Sequence, residues 1–223
     1  MSITLSELIT RVRQRSDQVD SQFVSDTEIT TYLNDSLGEL YDLLVLSYEN
    51  YFVNTVTGVV SSGSDGYTLP EDFYKLVGID EQNGNDWFSI NQFNFLDRNY
   101  KNHNNLFYNR LSTLEYRVFD NKILFVPEAS TNITIRLFYV PQMTKLEDST
   151  DTVNNRIVES WVDYAVVDAA IKIMIKEESD PSALMTQKQA LQSRIQSMAA
   201  NRDESICGTI TDVYSASPYY WRF

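Results

Sequence analysis

The chain has 223 residues, 43% of them hydrophobic and 22% charged, which fits a folded protein and is too apolar for a disordered one. Its formal charge of −13 comes from 31 acidic against 18 basic residues and is spread along the chain, which disfavours general nucleic-acid binding, because phosphates are gripped by clustered lysine and arginine. One cysteine, Cys207, and one histidine, His103, exclude an intramolecular disulfide, a cysteine-based zinc site and most histidine triads.

No run approaches the ~18 apolar residues of a membrane span. The N-terminus has no basic region followed by an apolar block, so cytoplasmic synthesis is expected and the sequons at Asn34 and Asn132 read as chance matches.

Thr4 and Glu7 form a capping box ahead of Leu5, Leu8, Ile9 and Val12, which predicts a short helix to about Arg15. Ser25 and Glu28 form a second one. Ile29, Leu33, Leu37, Leu40, Leu44 and Tyr48 then recur at helical spacing, predicting a helix over roughly 25–48. From Tyr51 the pattern becomes β-like, and residues 61–66 are a turn cluster. Lys75–Asp80 reads as a strand, returning through Asn83-Gly84 to Trp87–Ile90. Residues 83–109 hold nine asparagines and read mostly as exposed loop, with room for a short helix at Phe93 to Tyr100. Tyr116–Phe119 and Lys122–Val126 flank Asp120-Asn121 as another hairpin, and alternation from Ile133 to Tyr139 ends at Pro141.

Helical spacing returns at Ile157, Trp161, Tyr164, Ala165, Asp168, Ile171 and Ile175, with Asn154 or Asn155 as the cap. Asp180 and Pro181 open a last helix to about Arg202, with a stripe of Leu184, Leu191, Ile195 and Met198. The expected fold is therefore α+β. Residues 1–50 and 147–203 supply a helical bundle, residues 51–146 an inserted antiparallel β lobe, and residues 204–223 an extended arm.

Motifs for phosphate loops, dinucleotide binding, zinc proteolysis and serine hydrolysis are absent from the sequence. His103 reads as a solvated loop residue, Cys207 as a packing residue and Asp168, near an apolar stripe, as half of an internal salt bridge. Asp80–Asp86 reads as a hairpin in preference to a calcium loop. An enzyme would need a carboxylate pair assembled by the fold. Phe73, Trp87, Phe88, Phe93 and Phe95 read as lobe core, or alternatively as a carbohydrate- or receptor-binding surface. The arm ends Tyr219-Tyr220-Trp221-Arg222-Phe223, residue types that anchor interfaces. It either folds back over this chain or docks on a partner.

Four segments together resemble tailed-phage head-to-tail adaptor proteins. Asp26-Thr27-Glu28-Ile29 matches an aspartate-x-glutamate-aliphatic step, and Leu33-Asn34-Asp35-Ser36 matches the polar core that follows it. Leu69-Pro70-Glu71-Asp72-Phe73 is similar to the segment leading into the family's β region. Arg136–Pro141 followed by Ile157–Ala165 resembles its last strand and first C-terminal helix. The resemblance covers most of residues 4–202.

It implies a non-enzymatic structural virion protein at the neck, without cofactor or metal. Its copies would form a ring under the portal, usually of twelve. The implied partners are the portal protein, the next tail or neck protein, further copies of the chain, and double-stranded DNA passing through the lumen without sequence-specific binding; no membrane is involved. Tyr214, Tyr219, Tyr220, Trp221, Arg222 and Phe223 become the portal-docking arm. Asn83, Gly84, Asp120 and Asn121 become the tail-side hairpins.

Overall fold

A computed structural model describes residues 3–19, 23–64, 66–98, 114–154 and 156–202. The chain begins with helix α1 (Leu5–Arg15), where Thr4 and Glu7 form the reciprocal capping box expected of them. Helix α2 (Asp26–Ser47) follows, and the Ser25 side chain accepts from the Glu28 N–H at 3.3 Å. The Glu28 carboxylate turns instead to Lys176 at 2.6 Å and to the Tyr32 hydroxyl at 2.9 Å, because a full ionic partner outcompetes a neutral N–H.

A 3-10 turn, Glu49–Phe52, connects α2 to the strands. They are β1 (Asn54–Val60), β2 (Tyr67–Thr68), β3 (Phe73–Asn83), β4 (Asp86–Ser89), β5 (Asn91–Gln92), β6 (Glu115–Phe119), β7 (Lys122–Val126) and β8 (Ile133–Pro141). One sheet runs β1-β8-β3-β4 and is antiparallel throughout. The other runs β2-β7-β6-β5 and has one parallel pair, β5 with β6.

The two sheets share an apolar cluster that includes Val60, Leu69, Ile79, Tyr116, Ile123, Ile135 and Leu137. Alternation along β8 sends Ile135, Leu137 and Tyr139 into that cluster and Val140 to the opposite face, where it joins the helices. β3 is longer than the sequence pattern suggested. Two register shifts against β8, after Phe73 and after Leu76, break its alternation and conceal its ends.

Helix α3 (Asp163–Lys176) begins later than the 157–175 spacing predicted. Asn154 caps only a turn, accepting from the Arg156 N–H at 3.0 Å, and Glu159–Trp161 is a 3-10 turn. Helix α4 (Ser182–Ala200) is opened by Asp180, which accepts from the Ser182 N–H at 3.0 Å. Its inward stripe ends on Ile195 and Ala199, whereas Met198 is 59% exposed.

Leu8, Val12, Ile29, Leu33, Leu37, Leu40, Val166, Ala169, Ile173 and Ile195 contribute to one apolar cluster, so the first two and last two helices share a core. Full burial of each large aliphatic side chain is worth roughly 1.5–3 kcal/mol.

Candidate functional site

Several motif residues are joints between elements. Leu33 is fully buried. Asn34 closes a two-bond ring with the Leu146 backbone, its Nδ2 donating to the carbonyl at 2.9 Å and its Oδ1 accepting from the N–H at 2.8 Å. That ring pins the segment leaving β8 to α2. Ser36, two residues on, donates to Asp168 Oδ2 at 2.6 Å.

Asp168 is 3% exposed and is the centre of an ionic cluster whose lysines are partly exposed. Its Oδ1 accepts from Lys188 Nζ at 2.6 Å, and its Oδ2 lies 2.9 Å from Lys172 Nζ. Lys188 also reaches Glu39 at 3.0 Å. Burial pushes the Asp168 pKa up, but the hydrogen bonds from Lys188, Ser36 and Lys172 outweigh it and hold the carboxyl below its usual range. Burial likewise opposes the charge on Lys188, and its bonds to Asp168 and Glu39 win, holding its pKa above the usual lysine range. The salt bridge expected of Asp168 is present. The sequence reading missed its partner, although Lys188 falls on the stripe of Leu184, Leu191 and Ile195.

The other two motifs act alike. Asp26 holds Arg13 at 2.6 Å, tying α2 to α1. Asp72 accepts from the Tyr139 hydroxyl at 2.9 Å, its carbonyl accepts from the Gln142 N–H at 2.6 Å, and Phe73 stacks on Tyr139 with centroids 6.1 Å apart. Tyr41, on α2, donates to the Pro141 carbonyl at 2.7 Å, so the ends of β3 and β8 are fixed against the helices.

The predicted hairpins both exist and are exposed. Asn83 pairs with Asp86, so Gly84 and Asn85 form the turn, and Gly84 has φ +63°, which suits glycine. Phe119 pairs with Lys122, and Asp120, at φ +52°, occupies the left-handed region that aspartate tolerates. The two tips are not together. The Asn121 carbonyl accepts from the Leu69 N–H at 3.1 Å, close to the start of β3 beside the helices. Gly84 lies at the far end of β3, about 30 Å away along an 11-residue strand.

The five aromatics do not form one surface either. Phe73 packs on Tyr139, and Trp87 lies under Arg136 at 4.4 Å on the opposite sheet face. Phe93 is buried, Phe88 is exposed, and Phe95 stacks on Phe119 at 5.5 Å. Arg136 stacks on Trp87 and bonds Asp80 at 2.7 Å, so Asp80 serves an ion pair.

Tyr214, Tyr219, Tyr220, Trp221, Arg222 and Phe223 lie outside the described residues, as do His103 and Cys207. Among the described residues no group of three or more His, Cys, Asp or Glu is placed to hold a metal, and no helix is long and apolar enough to cross a membrane. The groove between α1 and α2, about 420 Å³, is lined by Ser6, Ile9, Thr10, Arg13, Asp26 and Thr30 among others. Arg13 and Asp26 already neutralise each other there.

The chain's elements are tied to one another by these contacts. Its sequence matches the family described as SU10 adaptor protein over residues 3–212. The chain belongs to that family. This is a phage head-tail adaptor family, so the resemblance read from the four motifs is correct, and the chain is a phage adaptor protein with a structural role in the virion. No curated protein matches it significantly.

Proposed function

We propose that this adaptor assembles as a ring of twelve copies under the portal, extends the DNA channel and presents the attachment site for the next tail or neck protein. The observation that carries the reading is the family match, which spans both helical ends and the β lobe between them. Two further features support it. The helices and lobe are tied together by Asn34 and Tyr41, as a load-transmitting body requires. The distributed charge of −13 suits a wall past which DNA must slide without adhering.

In this reading Tyr214, Tyr219, Tyr220, Trp221, Arg222 and Phe223 dock on the portal, and the aromatic side chains supply the contact area. The exposed Asn83-Gly84 tip, at the end of β3 away from the helices, carries the tail-side contact. Asp120 and Asn121, drawn back toward the start of β3, belong to the other end of the lobe. The protein performs no catalysis.

The test is a pull-down from phage-producing cells that compares the full chain with a version stopped after Gly208. The reading expects the full chain to bring down a portal-like ring protein and the shortened chain to lose it. Equal recovery by both would move the portal interface off the arm. Absence of a portal protein from both would overturn the reading.

A further inference from the structure

Beyond its second bulge, β3 alternates without interruption. Ile79 belongs to the apolar cluster between the sheets, and Glu81, two residues on, shares its face. The cross-strand neighbours of Glu81 agree. Ile135 of β8, fully buried in the same cluster, pairs with it on one side, and Phe88 of β4 pairs with it on the other.

An acid on an inward face ordinarily has a counter-charge, because an unpaired charge is costly to bury. Asp80, on the opposite face of the same strand, has Arg136, and Asp168 has two lysines. The Glu81 carboxylate has no hydrogen-bond or ion-pair partner among the described residues. Burial, opposed by nothing, pushes its pKa up. Inward-pointing charges guard the open edges of some sheets, but β3 lies between β8 and β4 and has no edge to guard.

The carboxylate is accessible through a pocket of about 240 Å³, which it lines with Asn83, Phe88, Ser89, Ile90 and Leu114. One water molecule's share of the liquid is ~30 Å³, so the pocket has room for a side chain. Its chemistry selects which kind. A hard metal ion needs several oxygen ligands, and among the described residues no group of three or more His, Cys, Asp or Glu is placed to hold one. A single acid with apolar walls suits a long basic side chain, whose stem lies on Phe88, Ile90 and Leu114 while its head reaches Glu81. Phe88, 55% exposed, adds an aromatic surface that favours a cation. The pocket also borders Asn83, the last residue of β3 before the Gly84 turn.

We infer that this pocket receives a lysine or arginine side chain of the protein that follows the adaptor on the tail side. The incoming cation supplies the counter-charge that Glu81 lacks, and its stem covers Phe88. Glu81 is thus unpaired in the free chain and satisfied in the complex. The inference rests on the reading that the Asn83-Gly84 end of the lobe faces the tail.

The full-length chain is tested first, by NMR, with n-butylammonium and n-butylguanidinium as probes and n-butanol as the neutral control. Both cations should shift the amides of Glu81, Phe88, Ile90 and Leu114 saturably in the millimolar range, n-butanol should not, and Glu81→Gln should abolish the response. Thermal melts near neutral pH should place Glu81→Gln at or above the wild type, because the variant removes an unpaired charge. In pull-downs from phage-producing cells, Glu81→Gln and Glu81→Lys should each recover at least tenfold less of the tail-side protein, with portal recovery unchanged. A lower melting temperature for Glu81→Gln would overturn the inference by making Glu81 a structural residue. Absence of saturable shifts would also overturn it, as would tail-side recovery that ignores Glu81→Lys. Failure of the adaptor reading looks different: the wild type then recovers no neck protein, the tail-side occupant falls with it, and the probe shifts alone survive.

Discussion

Lys188 Nζ meets Asp168 Oδ1 at 2.6 Å, joining α4 to α3 across the helical core, and the same carboxylate takes Ser36 of α2 on its other oxygen. Three helices thus share one buried acid. Removing one member of such a cluster leaves the others without compensation, which costs more than the interaction itself contributes. Asp168→Ala removes the acid that Lys188, Lys172 and Ser36 share, leaving the lysines only Glu39 as a counter-charge and Ser36 only the Tyr32 carbonyl to donate to, and should cost about 3 kcal/mol. Lys188→Met should cost less, because Lys172 and Ser36 still serve the carboxylate. The urea midpoint at constant slope is the measurement, and a loss under ~1 kcal/mol for Asp168→Ala would show that the cluster is not holding the helices.

The same cluster fixes the direction of the pH dependence. Asp168 is held below its ordinary value of 3.8, so as pH falls the unfolded chain takes up the proton first, and stability present above that value is lost below it. Lys188 is held above its ordinary 10.5, so its contribution persists at neutral pH and is lost as pH rises beyond that value. Tyr41 acts in the same alkaline range: burial raises it to about 12, and the unfolded chain ionises it first, from its ordinary value of 10.0 upward. Thermal melts across pH should show an acid limb below about 4 and an alkaline limb above about 10. Asp168→Asn should flatten the acid limb, and an unchanged limb would assign acid unfolding to other carboxylates.

Asn34 is a separate test of the joint between helix and lobe. Asn34→Ala leaves the Leu146 N–H and C=O without their partner, beside a leucine that is 4% exposed. An unsatisfied buried backbone group costs about 1–3 kcal/mol, so a comparable loss is expected in denaturant unfolding. Amides of 142–148 should also exchange faster, while those of α2 should not.

Gly84 should separate turn shape from contact chemistry. At φ +63° a β-branched side chain is strained by about 1–2 kcal/mol, so Gly84→Val should destabilise the β3–β4 hairpin, whereas Gly84→Asn should be tolerated. A Cβ at this position meets nothing within 4 Å, so strain rather than crowding is being measured. If Gly84→Asn keeps its melting temperature but lowers recovery of the tail-side partner, the tip is a contact. Unchanged recovery would remove it from that role.

Much of this was legible in the sequence, for local reasons. Thr4 with Glu7 and Asn83 with Gly84 encode their geometry within four residues, and α2 repeats one apolar stripe for six turns. What was hidden depends on distant partners. The start of α3 was misplaced because the Ile157–Trp161 spacing suits a turn as well as a helix, and Arg156 is drawn away to Phe52 and Asn54. The ends of β3 were hidden by two bulges. Lys188 is passed over in the stripe of α4 because a lysine looks like solvent-facing charge until an acid is found opposite it. The separation of the two hairpin tips follows from the path of β3 through the sandwich, which no local pattern records.

The central claim, that this chain is the ring between portal and tail, is tested most directly by imaging the neck of intact virions by electron cryomicroscopy. The account predicts twelve copies directly under the portal, with the helices and residues 204–223 toward it and the Asn83-Gly84 tips toward the tail. Finding the chain away from the head-tail junction, or at the junction with Asn83-Gly84 against the portal, would contradict it.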